Sequence, residues 1–266
     1  MVTSSDVNIE GVRQWKHDQG LNFGSISLTP NQHTDFMNHV RPLFTPTISI
    51  AVVPENFDPL AVFFDMDATV IQDESLVELA KNYGVYDRVN EITHQAMSGN
   101  LDFAESLRLR LALMKGASKD LLDDFIINYK LNAGIEDSLS YFHKNHVPTF
   151  MVSGGFTYIA NALQSRLGFK DTHANELEII DGVMTGKVIG SIVGADEKCL
   201  WMKKTIKNIG DIDKVIAVGD GANDSKMLEA SGLAVGFRPK EVLYPLLDVH
   251  VGLDQDHRFL LSVLSA

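Results

Sequence analysis

Short, dense apolar runs recur along the later part of the chain: Leu60-Ala61-Val62-Phe63-Phe64, Val147–Val152, Val215–Val218, Leu233–Val235 and Val249–Val251. Runs of this length with little polar alternation suit strands that are buried on both faces. Helical patterns stand between them at Gly155–Leu167, Glu197–Ile209, Ser225–Ser231 and His257–Leu264. Strand and helix in alternation predict an α/β fold, a parallel sheet wrapped by helices. Two further runs, Glu176–Asp181 and Val183–Ile189, flank Asp181-Gly182, a hairpin turn signal.

Residues 75–140 interrupt this alternation. Four helical stretches follow one another with no strand between them: Leu76–Asn82, Asp87–Met97, Phe103–Lys115 and Lys119–Tyr129. Asp102, with Glu105 three residues later, supplies a capping box for the third. A helical insert after the first strand predicts a cap, placed where ligands of open parallel sheets sit, beyond the C-terminal strand ends. The expected organisation is a core of residues 59–74 and 141–266, a cap of residues 75–140, and an appended N-terminal segment, 1–58, of unread function. That segment carries four of the eight prolines and one strand-like run, Ile48–Val53. Its prolines predict no long helix. At ~150 residues per domain the 266 residues suit one or two domains.

Composition removes several function classes. A net charge of −12 makes the chain a poor partner for nucleic acid, which is held by concentrated Lys and Arg. The single cysteine, Cys199, rules out an intrachain disulfide and a Cys-based zinc cluster, and fits a reducing compartment. No apolar run approaches the ~18 residues of a membrane span, and Met1–Asp18 has no apolar stretch of a signal peptide. A cytoplasmic protein with neither membrane nor nucleic-acid partner is expected; the sequence leaves a homodimer open.

Four pieces carry chemistry. The first apolar strand runs into Phe64-Asp65-Met66-Asp67-Ala68-Thr69. Alone, such an Asp pair is ordinary loop material, but a carboxylate at a buried strand end faces the ligand crevice, where burial demands a positive partner. Magnesium, held by one or two carboxylates and substrate phosphate, is such a partner. Val152-Ser153-Gly154-Gly155 ends another strand and reads as the opening of a helix, either an anion site made of backbone N–H groups or simply a tight strand-to-helix turn. Lys198 says nothing alone, since lysines are ordinarily solvated. Val218-Gly219-Asp220-Gly221-Ala222-Asn223-Asp224 follows a further strand and turns two carboxylates and an amide toward the same crevice. Competing motifs fail. Only three residues separate Gly182 from Gly186 before Lys187, so there is no P-loop, and Met151 stands where a Gly-x-Ser-x-Gly elbow needs glycine.

In this order the four pieces resemble the haloacid dehalogenase superfamily of phosphotransferases. With Glu74, Ala96-Met97-Ser98-Gly99, Phe103 and Arg110 added, residues 60–255 are similar to its phosphoserine phosphatase family. The resemblance implies a Rossmann-like parallel sheet with helices on both faces, plus a helical-bundle cap inserted after the first core strand. It implies Mg2+-dependent hydrolysis of O-phospho-L-serine through an aspartyl-phosphate, the last step of serine biosynthesis. Asp65 would be the nucleophile and Asp67 the proton donor. Asp65, Asp67 (through its backbone carbonyl) and Asp220 would hold the metal. Glu74, Arg110, Ser153, Gly154, Lys198 and Asn223 would bind substrate. Asp224 would orient Lys198 or a metal-bound water, and Met97 and Phe103 either belong to the helix core or close over the substrate. The family usually has Ser where this chain has Ala68. The alternatives are a relative acting on another small phosphomonoester and a phosphate sensor without turnover; intact Asp65, Asp67, Lys198, Asp220 and Asp224 count against the second.

Overall fold

The computed structural model describes residues 14–18, 21–25, 30–47, 49–54, 56–97 and 101–264. A two-stranded hairpin, β1 (Gln14–Asp18) and β2 (Leu21–Ser25), precedes α1 (Pro30–Val40) and the two-residue β3 (Ile50–Ala51). Then come β4 (Ala61–Phe64) and the helices α2 (Ser75–Tyr83), α3 (Tyr86–Met97), α4 (Phe103–Leu113), α5 (Asp120–Asn128) and α6 (Ile135–Lys144). The remainder is β5 (Thr149–Phe156), α7 (Thr157–Leu167), β6 (Asp171–Ile180), β7 (Val183–Ile189), α8 (Ala195–Ile206), β8 (Val215–Gly219), α9 (Ser225–Ala230), β9 (Leu233–Phe237), β10 (Val249–Val251) and α10 (Arg258–Leu264).

All five apolar runs become neighbouring parallel strands. One eight-stranded sheet has the order β3-β10-β9-β8-β4-β5-β6-β7. It is parallel from β10 to β6 and antiparallel at both edges, where β3 meets β10 and β7 meets β6. Side chains of β4 alternate across it. Val62 and Phe64 pack with Phe142, Leu163 and Leu260 of α6, α7 and α10; Ala61 and Phe63 pack with Val40, Met202 and Leu228 of α1, α8 and α9. Helices therefore cover both faces, as expected. The β6–β7 turn places Asp181 (φ 50°) and Gly182 (φ 78°) in the left-handed region, the geometry that a two-residue hairpin needs.

The insert leaves and re-enters the core through adjacent linkers. Residues 71 and 131 pair as an isolated bridge, with Gln72 N–H donating to Lys130 O (2.8 Å). The expected limit at residue 140 falls inside α6. That helix buries Ile135, Leu139 and Phe142 and lies against β5 and α10, so it is part of the core. The cap also docks on the hairpin: Gly116 N–H donates to Met184 O and Lys119 N–H to Gly182 O.

The N-terminal segment is joined to the core. A proline is tolerated at the first helical position, so Pro30 opens α1 rather than breaking it. Met37, Val40 and Phe44 are buried, and β3 extends the sheet. Of the run expected at Ile48–Val53, only Ile50–Ala51 is strand, and Ile48 lies outside the described residues. Each buried apolar side chain contributes about 1.5–3 kcal/mol. A shortened chain beginning at Asn56 should therefore melt ~10 °C or more below the full chain. Circular dichroism melts of the two chains check this, and equal midpoints would make the segment an ornament. No helix among the described residues is long and apolar enough to cross a membrane.

Candidate active site

The carboxyl ends of β4, β5 and β8, three adjacent strands, bring the expected residues together. Asp65 follows β4 directly, and its N–H still donates to Val218 O of β8 (2.9 Å). Its side chain is almost wholly buried and accepts from Lys198 Nζ (2.6 Å). Lys198 lies in the first turn of α8 with no exposed surface, and also donates to Asp224 Oδ1 (2.7 Å). Asp224 in turn receives the N–H groups of Asp220 and Gly221 on Oδ2, both at 3.1 Å. This works only beside a glycine: a Cβ on Gly219 would sit 2.5 Å from the Asp224 carboxyl carbon.

Asp65, Asp220 and Asp224 have carboxylate oxygens within 4.8 Å of one another, and all three are buried. Burial and the neighbouring Asp224 push the Asp65 carboxyl well above its ordinary range, although Lys198 pulls it down. Burial also lifts Asp220 to about 6 against the pull of Lys240. Lys198 offsets part of this like charge, and a hard divalent ion suits the remaining oxygen donors. Among the described residues, the carboxylates of Asp65, Asp67, Glu74, Asp220 and Asp224 are opposed by Lys198, Lys240 and Arg110.

Asp67 contributes no side-chain oxygen to that cluster. Its Oδ2 accepts from Ser75 Oγ (2.8 Å), and its buried Oδ1 has no hydrogen-bond partner. Burial and the Glu74 charge hold this carboxyl up to about 7. Such a group exchanges protons near neutrality.

Ser153-Gly154-Gly155 does not open a helix as expected. β5 runs on to Phe156, and its register with β6 shifts between Val152 and Phe156, so the three residues form an irregular strand end. Asn175 of β6 secures it, donating to Gly154 O (2.8 Å) and accepting from Val193 N–H (2.9 Å). Ser153 Oγ accepts from Gly155 N–H (2.8 Å), which leaves the hydroxyl hydrogen to donate.

The cap supplies the roof. Phe103 opens α4 and lies on Gly154, where a Cβ would come within 2.7 Å of its Cζ. Asn223 Nδ2 would be 3.4 Å from the same Cβ, so Phe103, Asn223 and Gly154 meet at one point. Asp102 caps α4 by accepting from Glu105 N–H (2.7 Å), one half of the expected capping box. Arg110, half-buried on the face of Phe103, donates to Ser106 O and feels the charges of Glu74 and Asp67. Glu74 precedes α2 and faces Lys240 across 3.8 Å. The Met97 side chain and Ser98-Gly99 lie outside the described residues.

Four contributors escape sequence reading. Lys240, from the turn after β9, stands 3.3 Å from Asp220. Ser75 holds Asp67, Asn175 holds the β5 end, and Asn132 reaches the turn after β4. Only Lys240 had a usable signal, its place just beyond a strand next to β8.

The chain resembles known hydrolases over most of its length. The profile of the haloacid dehalogenase-like hydrolases matches residues 62–229. The chain is 36% identical over 229 residues to phosphoserine phosphatase of Haemophilus influenzae, covering 84% of this chain and 73% of that one. It is 38% identical to the Idiomarina loihiensis enzyme of the same name, covering 71% and 87%. Against the Archaeoglobus fulgidus phosphoserine phosphatase it is 37% identical over 73% of this chain, and spans 56% of that protein. Among solved structures, a haloacid dehalogenase-family hydrolase from Salmonella enterica serovar Typhi superposes with a TM-score of 0.79 at 28% identity, covering 89% and 81%. A substrate-bound phosphoserine phosphatase superposes with 0.72 at 31% identity, covering 77% and 98%.

Proposed function

The chain belongs to the haloacid dehalogenase-like hydrolases, and from that premise we propose that it hydrolyses O-phospho-L-serine to serine and phosphate. The observation that carries this reading is the pairing of a carboxylate centre with two opposite charges above it. Asp65, Asp67 and Lys198 lie on the core side, Arg110 lies on α4 of the insert in the field of both Glu74 and Asp67, and Glu74 stands at the junction before α2. A phosphorylated amino acid offers a phosphate to the first group, and an ammonium and a carboxylate to the second.

The reaction proceeds in two displacements. An Asp65 carboxylate oxygen attacks phosphorus, the bond from phosphorus to the serine oxygen breaks, and Asp67 protonates the departing oxygen. Asp67 then takes a proton from water as that water attacks the phosphorus of the Asp65 acyl-phosphate, which releases phosphate and restores the Asp65 carboxylate and the protonated Asp67. Its hold near 7 suits both directions of transfer. Lys198, the Ser153 hydroxyl and the Gly154 N–H spread the charge of the phosphoryl group in flight. Asp65, Asp220 and the Asp67 carbonyl would hold Mg2+, which offsets the repulsion between carboxylate and phosphate. Asp224, its oxygens committed to Lys198 and two N–H groups, orients the lysine. Phe103 excludes water from the closed site.

Phosphate release from phosphoserine, phosphoethanolamine and glycerol phosphate tests the substrate. Losing a bidentate carboxylate contact to a partly buried Arg costs roughly 2–5 kcal/mol, so phosphoserine should be preferred about 30-fold or more. Arg110→Ala should erase that preference while leaving phosphoethanolamine turnover nearly unchanged. Equal loss on both substrates would make Arg110 structural and leave a phosphatase of another small phosphomonoester.

A further inference from the structure

Asn132 stands where the chain returns from the cap, and it is 4% exposed. Its backbone N–H donates to Val70 O (2.9 Å), pairing the return linker with the outgoing one. Its side-chain amide does something separate. Nδ2 lies 3.0 Å from Ala68 O, 2.8 Å from Thr69 O and 3.0 Å from Ile71 O. An amide nitrogen carries two hydrogens, so one of them is shared between carbonyls. Three carbonyls of one turn thus converge on one side chain from more than 60 residues away.

These carbonyls belong to the turn that carries Asp65 and Asp67. The turn is unusual in backbone, because Ala68 has φ 55°, a region that is costly for an L residue and persists only where its surroundings impose it. A second buried group points the same way. The His257 Nε2 is 2.9 Å from Thr69 O, with the ring stacked on Phe237 at 3.9 Å. A carbonyl only accepts, so this nitrogen carries the proton. On the outgoing side, Ser75 of α2 holds the Asp67 carboxylate itself. Both cap linkers therefore grip the same turn, one by its carbonyls and one by its acid.

We propose that Asn132 is a positioning residue: its amide fixes the turn bearing Asp67 to the cap's return linker, so that the proton-transferring carboxyl is set in place together with the cap. This rests on the reading of Asp67 as proton donor and acceptor. Nothing in the amide's position brings it to the substrate, so its effect acts on the rate of chemistry rather than on binding.

Asn132→Leu keeps the bulk and removes the donors; Asn132→Ser keeps one donor. With phosphoserine and Mg2+, kcat should fall about 10–100-fold in the first and less in the second, with KM within about threefold. In an Asp67→Asn background Asn132→Leu should change the residual rate by less than about twofold, because the group it positions is gone. Deuterium exchange should quicken in residues 66–73 and stay unchanged in β8. An undiminished kcat, an equal loss in the Asp67→Asn background, or faster exchange throughout the sheet would each overturn the proposal. A wild-type protein inert toward phosphoserine would overturn the functional reading instead, and the exchange measurement would still decide the role of Asn132.

Discussion

Asp65→Asn should leave a folded protein that releases phosphate on the order of 10^4-fold more slowly, or not at all. An amide oxygen is a feeble nucleophile, and no second carboxylate can take the place of Asp65. Asp220 and Asp224 are bound into the turn after β8, with Asp224 held by Lys198 and two N–H groups. The fold should not suffer. The Asp65 carboxyl is pushed well above its ordinary range, chiefly by burial and by Asp224, so its ionised form opposes folding when no cation is present. Removing that charge in EDTA should leave the melting temperature unchanged or raise it. Phosphate release and a thermal melt on the same preparation separate the two effects. Activity within tenfold of wild type would move the nucleophile elsewhere, and a collapsed melt would make Asp65 a structural residue.

Legibility of the chain followed how local each signal was. The parallel strands could be read because burial on both faces demands runs such as Leu60–Phe64, and the hairpin because Asp181-Gly182 meets a local backbone requirement. The edge strand β3 was nearly invisible: two residues held by β10 have no pattern of their own. Pro30 misled because a proline forbids helix only after the first turn. Helix α6 was missed although Ile135, Leu139 and Phe142 share one face, since its boundary with the cap is set by packing on β5 and α10. Ser153–Gly155 looked like a helix start because small residues favour both helix starts and irregular strand ends. The site divided similarly. Charged residues at strand ends announced themselves by position, whereas Asn132, Asn175 and Ser75 are ordinary polar residues until their distant partners are known.

Lys198→Met should damage both stability and turnover, and the pH dependence of the damage identifies its cause. The ammonium is fully buried between Asp65 and Asp224. Burial favours loss of its proton, but Asp224 and Asp65 outweigh this and hold the lysine charged above its ordinary range. Removing one partner of a buried ion pair costs about 3–5 kcal/mol, because the remaining charges stay buried and unopposed. Turnover should fall ~10^2–10^3-fold from the lost contact to the phosphoryl group. In the metal-free variant Asp65 and Asp224 face each other without the ammonium between them, while Asp220 keeps Lys240. A group whose folded pKa lies above its unfolded value binds more protons when folded, so stability falls as pH rises through that interval. Lys198 holds the Asp65 carboxyl down, so its loss raises that carboxyl further, and the interval over which the deficit grows lies above the ordinary carboxylate range of about 4. Melts in EDTA should therefore show the deficit of Lys198→Met growing between pH 5 and pH 8, and shrinking on addition of a divalent cation. A deficit that is constant across this range would mean that the ammonium does not act by offsetting the ionised carboxylates, and the carboxylate cluster would need some other counter-charge to fold.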